Sequence, residues 1–248
     1  MTKYTLNENY KINFKEFLLD IKNYFRDNNQ TIHKARNELK IINHSGIDTV
    51  VKAFKVPNII NRFVYSFLRS SKASKSYEYS LKIGDFTPKP IGYVEFYSSG
   101  LLGESFFVSE KFNYDFTIRE PLLDKGFPNK EEILKSFARF TFELHENNIF
   151  HHDYSPGNIL VKQESDAYIF KIVDINRMKF MPLSNDIRLK NFAKLWMIDD
   201  DLKVVANEYS KLINEDSNEC IQIALKFSHS HKNKINMKKR LKGIEVVD

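Results

Sequence analysis

The sequence has few of the residues that define several protein classes. Its 248 residues include one cysteine, Cys220, which excludes an internal disulfide and favours a reducing cytosolic compartment. Eight glycines and seven prolines exclude a collagen-like or linker-like chain. No run of about 18 apolar residues occurs, and charges interrupt the N-terminal apolar stretches. We therefore expect neither a membrane span nor a signal peptide.

What the chain does contain indicates a folded, basic protein. Hydrophobic residues make up 42% of the sequence, with 21 Phe and 12 Tyr, which is enough apolar material for a substantial core and excludes disorder. The formal net charge is +6. A basic excess of this size favours anionic partners such as nucleotide phosphates, nucleic acid or a membrane surface, without choosing among them.

The pattern of the first 110 residues predicts a small sheet with helices. Phe14, Phe17, Leu18, Ile21 and Phe25 recur at helical spacing and predict an amphipathic N-terminal helix. Short β-rich segments separated by polar turns follow, and they predict three antiparallel strands over residues 30–55. One helix is expected next, around KASKSYEYSLKIG, and then a strand pair, IGYVEFY and GESFFVSE, over residues 91–110.

From residue 111 onward the pattern predicts mainly helices. Asn129 and Glu132 have the spacing of a capping pair that opens a long helix with an apolar core stripe. Two further helical patterns follow, and Trp196 is expected to pack in the core. The sequence thus predicts an α+β fold with a β-rich N-terminal lobe (residues 1–110) and a mostly helical C-terminal lobe (residues 111–248).

The segment HHDYSPGNILVKQESDAYIFKIVDINRMKF carries the chemistry. Asn158 directly precedes a short strand, and Asp174 directly follows a second strand that can return antiparallel to the first. Because a hairpin brings its two ends together, Asn158 and Asp174 should lie close in space, with Asp153 on the loop before them. Amide and carboxylate oxygens are the ligands that a hard cation such as Mg²⁺ prefers.

These residues resemble the catalytic and metal-binding loops of the protein-kinase-like fold. The resemblance implies that Asp153 orients or deprotonates an acceptor hydroxyl, while Asn158 and Asp174 hold Mg²⁺ against the phosphates of ATP. His151 would be a scaffold that anchors the loop. The simpler interpretation makes Asn158 a turn residue and Asp174 a helix cap.

The same resemblance requires two residues upstream. A lysine on the third strand should neutralise phosphate charge, and a helical glutamate should hold that lysine. Lys52, in TVVK, resembles the V-A-I-K signature, and Glu78 lies in the helix inserted into the sheet. Lys55 is the second choice for the lysine, although strand alternation turns it to the opposite face from Lys52.

Three departures from the protein-kinase pattern bear on the acceptor. The first hairpin, KARNELK, has no glycine, so the glycine-rich phosphate loop is missing, and Arg36 is either a charge near the phosphates or a solvated turn residue. Asp174-Ile175-Asn176 replaces D-F-G. Only about ten residues separate Asp174 from the next helical pattern, which is too short for the segment on which protein kinases dock peptides.

Over residues 31–196 the chain looks most like the lipopolysaccharide kinases of the Kdo/WaaP type. The supporting text includes TVVKAFK, TPKPIGYVEF, HHDYSPGNILV, IVDINRMKF and KNFAKLW, in that order. The resemblance implies transfer of the γ-phosphate of ATP to a Kdo or heptose hydroxyl of the inner core on lipid A, with Mg²⁺ as cofactor. It also implies a cytoplasmic enzyme in peripheral contact with the inner membrane.

Two basic features bear on such an acceptor. Arg177 and Lys179 follow Asp174 closely and either face an anionic substrate or form a surface pair; Arg177 is the candidate substrate residue. HKNKINMKKRLKG, the basic C-terminal run (residues 231–243), is either a solvated tail or a surface attracted to membrane or lipopolysaccharide.

Other classes of function remain open at this level. An atypical Ser/Thr protein kinase, a small-molecule kinase of the same fold and a pseudokinase scaffold share the fold, and a nucleic-acid-binding protein would use the basic run. Retention of Asp153, Asn158 and Asp174 argues against a pseudokinase. The sequence has no zinc spacing, recognition-helix signature or RNA-binding aromatic motif, so no nucleic-acid partner is expected.

Overall fold

A computed structural model describes residues 1–34, 37–165 and 167–245 of the chain. The chain divides into two compact units, Met1–Asn113 and Tyr114–Asp248. The last strand of the first unit ends at residue 110, just before this division. The protein is of the α+β class, with a sheet-rich N-terminal region and a helical C-terminal region.

The first unit is built on a six-stranded antiparallel sheet. Its strands are β1 (Thr2–Leu6), β2 (Thr31–Lys34), β3 (Glu38–His44), β4 (Ile47–Phe54), β5 (Pro90–Ser98) and β6 (Leu101–Glu110). They lie in the order β1-β5-β6-β4-β3-β2. Its helices are α1 (Lys11–Leu19), α2 (Ile21–Asp27), α3 (Ile59–Phe67) and α4 (Lys72–Ile83). The predicted β2–β4 meander and the β5–β6 hairpin are confirmed.

The two faces of this sheet pack against different helices. The apolar side chains of α1 and α2, including Phe14 and Phe17, pack on a face that presents Val51 and Val94. Alternation places Lys52 and Tyr93 on the opposite face, where Tyr77 of α4 packs on Tyr93 with ring centroids 5.6 Å apart. The sheet thus has an apolar side under the N-terminal helices and a more polar side under α4.

Three details of the first unit differ from expectation. The predicted N-terminal helix is two helices, because the backbone of Asp20, with φ −99° and ψ 15°, departs from the helical conformation. The expectation of one inserted helix is wrong, since α3 precedes α4 between β4 and β5. Strand β1 was not predicted from the sequence; it pairs antiparallel with β5 at the edge of the sheet.

The second unit is mostly helical and includes short strands. Its helices are α5 (Arg119–Leu123), α6 (Lys130–Glu146), α7 (Asn185–Asn191), α8 (Asp199–Ile213) and α9 (Ser217–Arg240). Its strands are β7 (Phe116–Thr117), β8 (Ile149–Phe150), β9 (Ile159–Glu164), β10 (Ala167–Ile172) and β11 (Lys179–Phe180). β7, β9 and β10 form one small sheet, and β8 pairs with β11.

The core of the second unit forms around α6. The predicted apolar stripe of this helix is confirmed as core, with every member at most 9% exposed: Ile133, Leu134, Phe137, Phe140 and Leu144. The predicted capping pair is wrong, because Asn129 adopts a left-handed conformation and its side chain makes no capping hydrogen bond. The expectation for Trp196 is also wrong, since its side chain is 41% exposed beside the cation of Lys239.

The basic C-terminal run is mainly the last part of α9. Lys232 Nζ donates a 2.6 Å hydrogen bond to the carbonyl oxygen of Met197, and Ser228, just before the run, is buried. The run is therefore part of the folded unit rather than a free tail. Over the described residues, no helix combines the length and the apolar character that crossing a bilayer requires.

Candidate active site

The β9–β10 hairpin brings Asn158 and Asp174 to the same place. Ile159 pairs with Ile172 at the open end of the hairpin, and Val173 N donates a 2.9 Å hydrogen bond to the carbonyl oxygen of Asn158. Asp174 is the next residue. The proximity that the sequence predicted for Asn158 and Asp174 is thus confirmed at the level of the backbone, because antiparallel pairing fixes both ends of the hairpin.

Asp174 leaves the strand through an uncommon backbone conformation. Its φ of 57° and ψ of 44° are left-handed, a region that Asp tolerates better than most residues. The turn begins a short 3₁₀ segment, Ile175–Arg177, and lets Asn176 Nδ2 donate a 2.7 Å hydrogen bond to Asp174 Oδ1. The Asp174 side chain is half-buried.

Asn158 ties the metal-binding candidates to the loop that carries Asp153. Its Nδ2 donates a 2.9 Å hydrogen bond to the carbonyl oxygen of Asp153. Its own backbone N–H is occupied by Ser155 in the 3₁₀ turn Pro156–Asn158. Among the described residues, Asn158 Oδ1 accepts no hydrogen bond. The amide nitrogen of Asn158 therefore has a structural hydrogen bond, and its amide oxygen is available to a ligand.

His151 acts as a structural residue of this loop, as predicted. It is 1% exposed, its Nδ1 accepts a 3.1 Å hydrogen bond from Asp153 N, and its Nε2 lies 3.0 Å from the carbonyl oxygen of Val173. An acceptor at Nδ1 requires the proton at Nε2, so Nε2–H donates to Val173. Burial lowers the pKa of His151, which favours this neutral form. The imidazole thus joins the Asp153 loop to the end of β10.

Tyr154 anchors the same loop in the core. Its ring is completely buried and stacks on Phe137 of α6, with centroids 5.7 Å apart. The Tyr154 hydroxyl lies 2.8 Å from Thr141 Oγ1. Because the Thr141 hydroxyl already donates to the carbonyl oxygen of Phe137, Tyr154 is the donor in this pair. Burial raises the pKa of Tyr154 above its ordinary value. Asp153 is therefore held between two buried rings, His151 and Tyr154.

Arg177 lies against Asp153 rather than free at a site edge. The chain leaves β8 just before the His151 loop, and β11 pairs with β8 just after Arg177. This pairing brings Arg177 Nη1 to 2.8 Å from Asp153 Oδ2, although half of the arginine side chain remains exposed. The contact of Arg177 in the structure is therefore with the candidate catalytic carboxylate, and its role toward a substrate stays a prediction.

Lys194 is a site residue that the sequence analysis did not select. Its Nζ hydrogen bonds to the carbonyl oxygen of His152 and lies 3.8 Å from Asp153 Oδ1. Partial burial lowers the pKa of His152, and the cations of Lys194, Lys179 and Arg177 act in the same direction. The surroundings of Asp153 are therefore positively charged. The sequence signal for Lys194 was the segment KNFAKLW, in which it is the second lysine. Its position in space can be known only once the fold after α7 is known.

The donor set at the hairpin end fits a magnesium ion. The described residues contain no cluster of three His, Cys, Asp or Glu side chains suited to a metal. Mg²⁺ does not need one, because it is usually held by one or two protein oxygens together with substrate phosphates and water. Asn158 Oδ1 and the Asp174 carboxylate supply such oxygens from one hairpin end.

In the first unit, Lys52 and Glu78 are not joined as predicted. Lys52 is half-buried on β4, on the sheet face that α4 covers, and its Nζ lies 5.3 Å from the ring centroid of Phe54. Glu78 is exposed on α4 and accepts a 2.6 Å hydrogen bond from Ser74 Oγ. Within the part of the chain that the structure describes, no ion pair joins Glu78 to Lys52. The second-choice lysine, Lys55, is exposed beyond the end of β4.

The glycine-free first hairpin is described only in part. β2 and β3 pair antiparallel as predicted, with an irregular register near Thr31. Arg36, the residue considered as a source of charge near the phosphates, lies outside the described residues.

Comparison with known proteins gives a structural match and no sequence match. No family model matches the sequence, and no curated protein matches it. Among solved structures, a structure titled "WaaP in complex with acyl carrier protein" aligns over 94% of this chain and 97% of its own, with a TM-score of 0.60 and 14% identity. An identity this low shows the fold alone. The chain therefore has a WaaP-like, kinase-like fold.

Proposed function

We propose that this protein is a kinase that transfers the γ-phosphate of ATP to a sugar hydroxyl of the lipopolysaccharide inner core, on a Kdo or heptose residue. The WaaP-like fold supports a phosphotransferase related to lipopolysaccharide. The observation that carries the proposal is the hydrogen bond between Val173 N and the Asn158 carbonyl. It brings Asn158 and Asp174 together beside the Asp153 loop.

Each residue of the site has a role that its chemistry supports. Asn158 and Asp174 would hold Mg²⁺, which supplies charge neutralisation at the phosphates of ATP when it is bound. Asp153 orients the acceptor hydroxyl and accepts its proton. A carboxylate has about four lone-pair positions, so Asp153 can accept from the hydroxyl while it keeps its bond to Arg177. Lys52 would neutralise phosphate charge from the sheet.

Two features favour a sugar over a peptide as the acceptor. The chain from Asp174 to the start of α7 at Asn185 is short, and within it β11 pairs back to β8, so it cannot form a long peptide-docking segment. Arg177 and Lys194 lie beside Asp153, and the cation of Lys179 acts on the neighbouring His152. A guanidinium and ammonium groups beside the base favour an acceptor that carries carboxylate or phosphate groups.

The proposal includes a peripheral contact with the cytoplasmic face of the inner membrane, where a lipid A-linked acceptor would lie. The solved WaaP structure contains acyl carrier protein, so acyl carrier protein is a second partner to test by co-purification with this chain.

The deciding experiment is phosphoryl transfer from labelled ATP with Mg²⁺ to Kdo-lipid A, heptosylated core and generic protein acceptors. We expect label on a lipid A-linked sugar and none when Asp153→Ala replaces the wild-type protein. Label on protein acceptors alone would move the assignment to an atypical protein kinase. ATP binding without transfer to any acceptor would favour a pseudokinase, and a free sugar as the sole acceptor would favour a small-molecule kinase.

A further inference from the structure

Helix α3 turns polar side chains toward the sheet and apolar side chains toward solvent, which is the reverse of an ordinary surface helix. Arg62 Nε donates a 2.7 Å hydrogen bond to the carbonyl oxygen of Leu102 on β6, and Leu102 N donates a 2.8 Å bond to Ser66 Oγ. Ser66 in turn donates to the carbonyl oxygen of Arg62. The polar side chains at positions i and i+4 therefore face the sheet and fasten the helix to it.

The outward side of this helix is apolar. We call it the α3 apolar face, and each of its six side chains is between 42% and 72% exposed: Val56, Ile59, Ile60, Phe63, Phe67 and Leu68. The rings of Phe63 and Phe67 pack together with centroids 4.9 Å apart. Single exposed apolar residues are ordinary on a protein surface, but six on one short segment mark an interaction surface.

The charged residues of the segment that carries this face have one sign. Residues 49–77 contain six Lys or Arg residues and no Asp or Glu. Lys55 before the helix and Arg69 after it are both exposed, so cations flank the apolar face at each end. The nearest exposed acid on β6, Glu104, is paired with Lys22 of α2. The surface is therefore apolar at its centre and basic at its ends.

We propose that the α3 apolar face docks on an anionic lipid bilayer, with its side chains in the headgroup and upper acyl region and with Lys55 and Arg69 at the headgroups. An amphipathic helix lying in the interface has this combination of aromatic and aliphatic side chains with basic flanks. The inference takes the membrane contact from the proposed function and assigns it to α3 instead of the basic C-terminal run.

The test is binding of the full chain to vesicles of phosphatidylglycerol and phosphatidylcholine, measured without nucleotide or acceptor. Phe63→Ser with Phe67→Ser should weaken vesicle binding by about tenfold or more, because two aromatic side chains no longer enter the interface. Ile12→Ser with Leu123→Ser removes exposed apolar residues elsewhere and should leave binding unchanged. Equal loss in both pairs, or no loss in the first, would overturn the proposal.

A fluorescent probe and a double variant that removes two positive charges complete the test. Lys55→Ala with Arg69→Ala should weaken binding to phosphatidylglycerol vesicles, and added salt should reduce the difference. The matched pair Lys15→Ala with Lys125→Ala should not weaken it.

The fluorescence of a polarity-sensitive dye on Ile60→Cys should shift to the blue when vesicles are added, whereas the fluorescence of the same dye on Leu123→Cys should not. Cys220 is 3% exposed and will label slowly.

These measurements separate the docking surface from the kinase. Vesicle binding through α3 in a protein that transfers no phosphate would refute the proposed function and leave the docking surface standing. Transfer to lipid A-linked sugar by a protein that does not bind vesicles would refute the docking surface and leave the proposed kinase function standing. A blue shift at Ile60→Cys that appears only with an acidic soluble protein would replace the bilayer with a protein partner.

Discussion

Arg177 donates a 2.8 Å hydrogen bond from Nη1 to Oδ2 of Asp153, 24 residues earlier in the chain. The β8–β11 pairing closes the intervening segment and holds the two residues together. Arg177 thus contacts the proposed base directly. This relationship makes Arg177 a positioning residue for Asp153 in addition to a candidate contact for the acceptor.

The first prediction separates those two roles of Arg177. If Arg177 mainly positions Asp153, Arg177→Ala should lower kcat by between about fivefold and a hundredfold with little change in the KM for the acceptor. If it mainly binds the acceptor, KM should rise instead. Arg26→Ala removes an exposed ion pair with Asp27 elsewhere on the chain and serves as the control. Unchanged kinetics in Arg177→Ala would exclude both roles.

The second prediction concerns the base itself. Asp153→Ala and Asp153→Asn should each reduce phosphoryl transfer by about 10²- to 10⁴-fold, because neither side chain can accept the hydroxyl proton. Affinity for Mg-ATP should stay close to that of the wild type. Asp124→Asn changes an exposed carboxylate in the same unit and should leave transfer unchanged. Turnover close to wild type in both Asp153 variants would refute the mechanism.

The third prediction concerns the magnesium ligands. Asp174→Asn should weaken Mg-nucleotide affinity more than Asn158→Ala does, since only the first removes a full negative charge from the ion's ligands. Both variants should bind nucleotide without Mg²⁺ about as the wild type does. Calorimetry with and without Mg²⁺ measures the difference. The reverse order of the two variants would show that Asn158 matters mainly through its bond to the Asp153 loop.

The fourth prediction is a pH dependence of stability from buried histidine. His145 is completely buried between Tyr209 and Asn191, and burial lowers its pKa to about 3. An unfolded histidine titrates near pH 6.5, so below about that pH the unfolded chain binds a proton that the folded chain does not. The free energy of unfolding should therefore fall as the pH drops from about 6.5 towards 3, by up to about 1.4 kcal/mol per pH unit.

Urea denaturation between pH 7.5 and 5 tests this dependence. His145→Gln cannot titrate, so its slope against pH should be shallower than that of the wild type even if its absolute stability is lower. His151, whose pKa is also lowered by burial, contributes a slope of the same sign that the variant retains. Parallel slopes in the two proteins would show that His145 does not stay neutral in the fold.

The fifth prediction concerns the basic C-terminal run. Truncation after Phe227 removes buried Ser228 and the Lys232–Met197 hydrogen bond, so it should lower the melting temperature and reduce activity on membrane-embedded and soluble acceptors alike. Substitution of exposed lysines with alanine is the cleaner test, at positions Lys234, Lys238 and Lys242. Reduced, salt-sensitive activity of this variant on membrane-embedded acceptor alone would give the run a share of the membrane contact.

Local pattern was sufficient where a segment's structure depends on its own residues. The β9–β10 hairpin could be predicted because its strands alternate and its turn is polar, and pairing of adjacent strands then fixes Asn158 near Asp174. The apolar stripe of α6 could be predicted from 3.6-residue periodicity. Helix α3 is not among the predicted elements, because no helix was assigned to residues 59–67. Asn58 caps it through the backbone N–H of Asn61, and that was the available signal.

The sequence by itself determined the α+β class and the hairpin, and it indicated Asp153, Asn158 and Asp174 as the residues that we propose for the chemistry. Only the tertiary structure decided which cations lie beside Asp153 and whether Glu78 reaches Lys52. Arg177 and Lys194 are 24 and 42 residues from the groups they contact. Contacts over such separations depend on how strands and helices pack, and residue spacing within a segment carries no information about them.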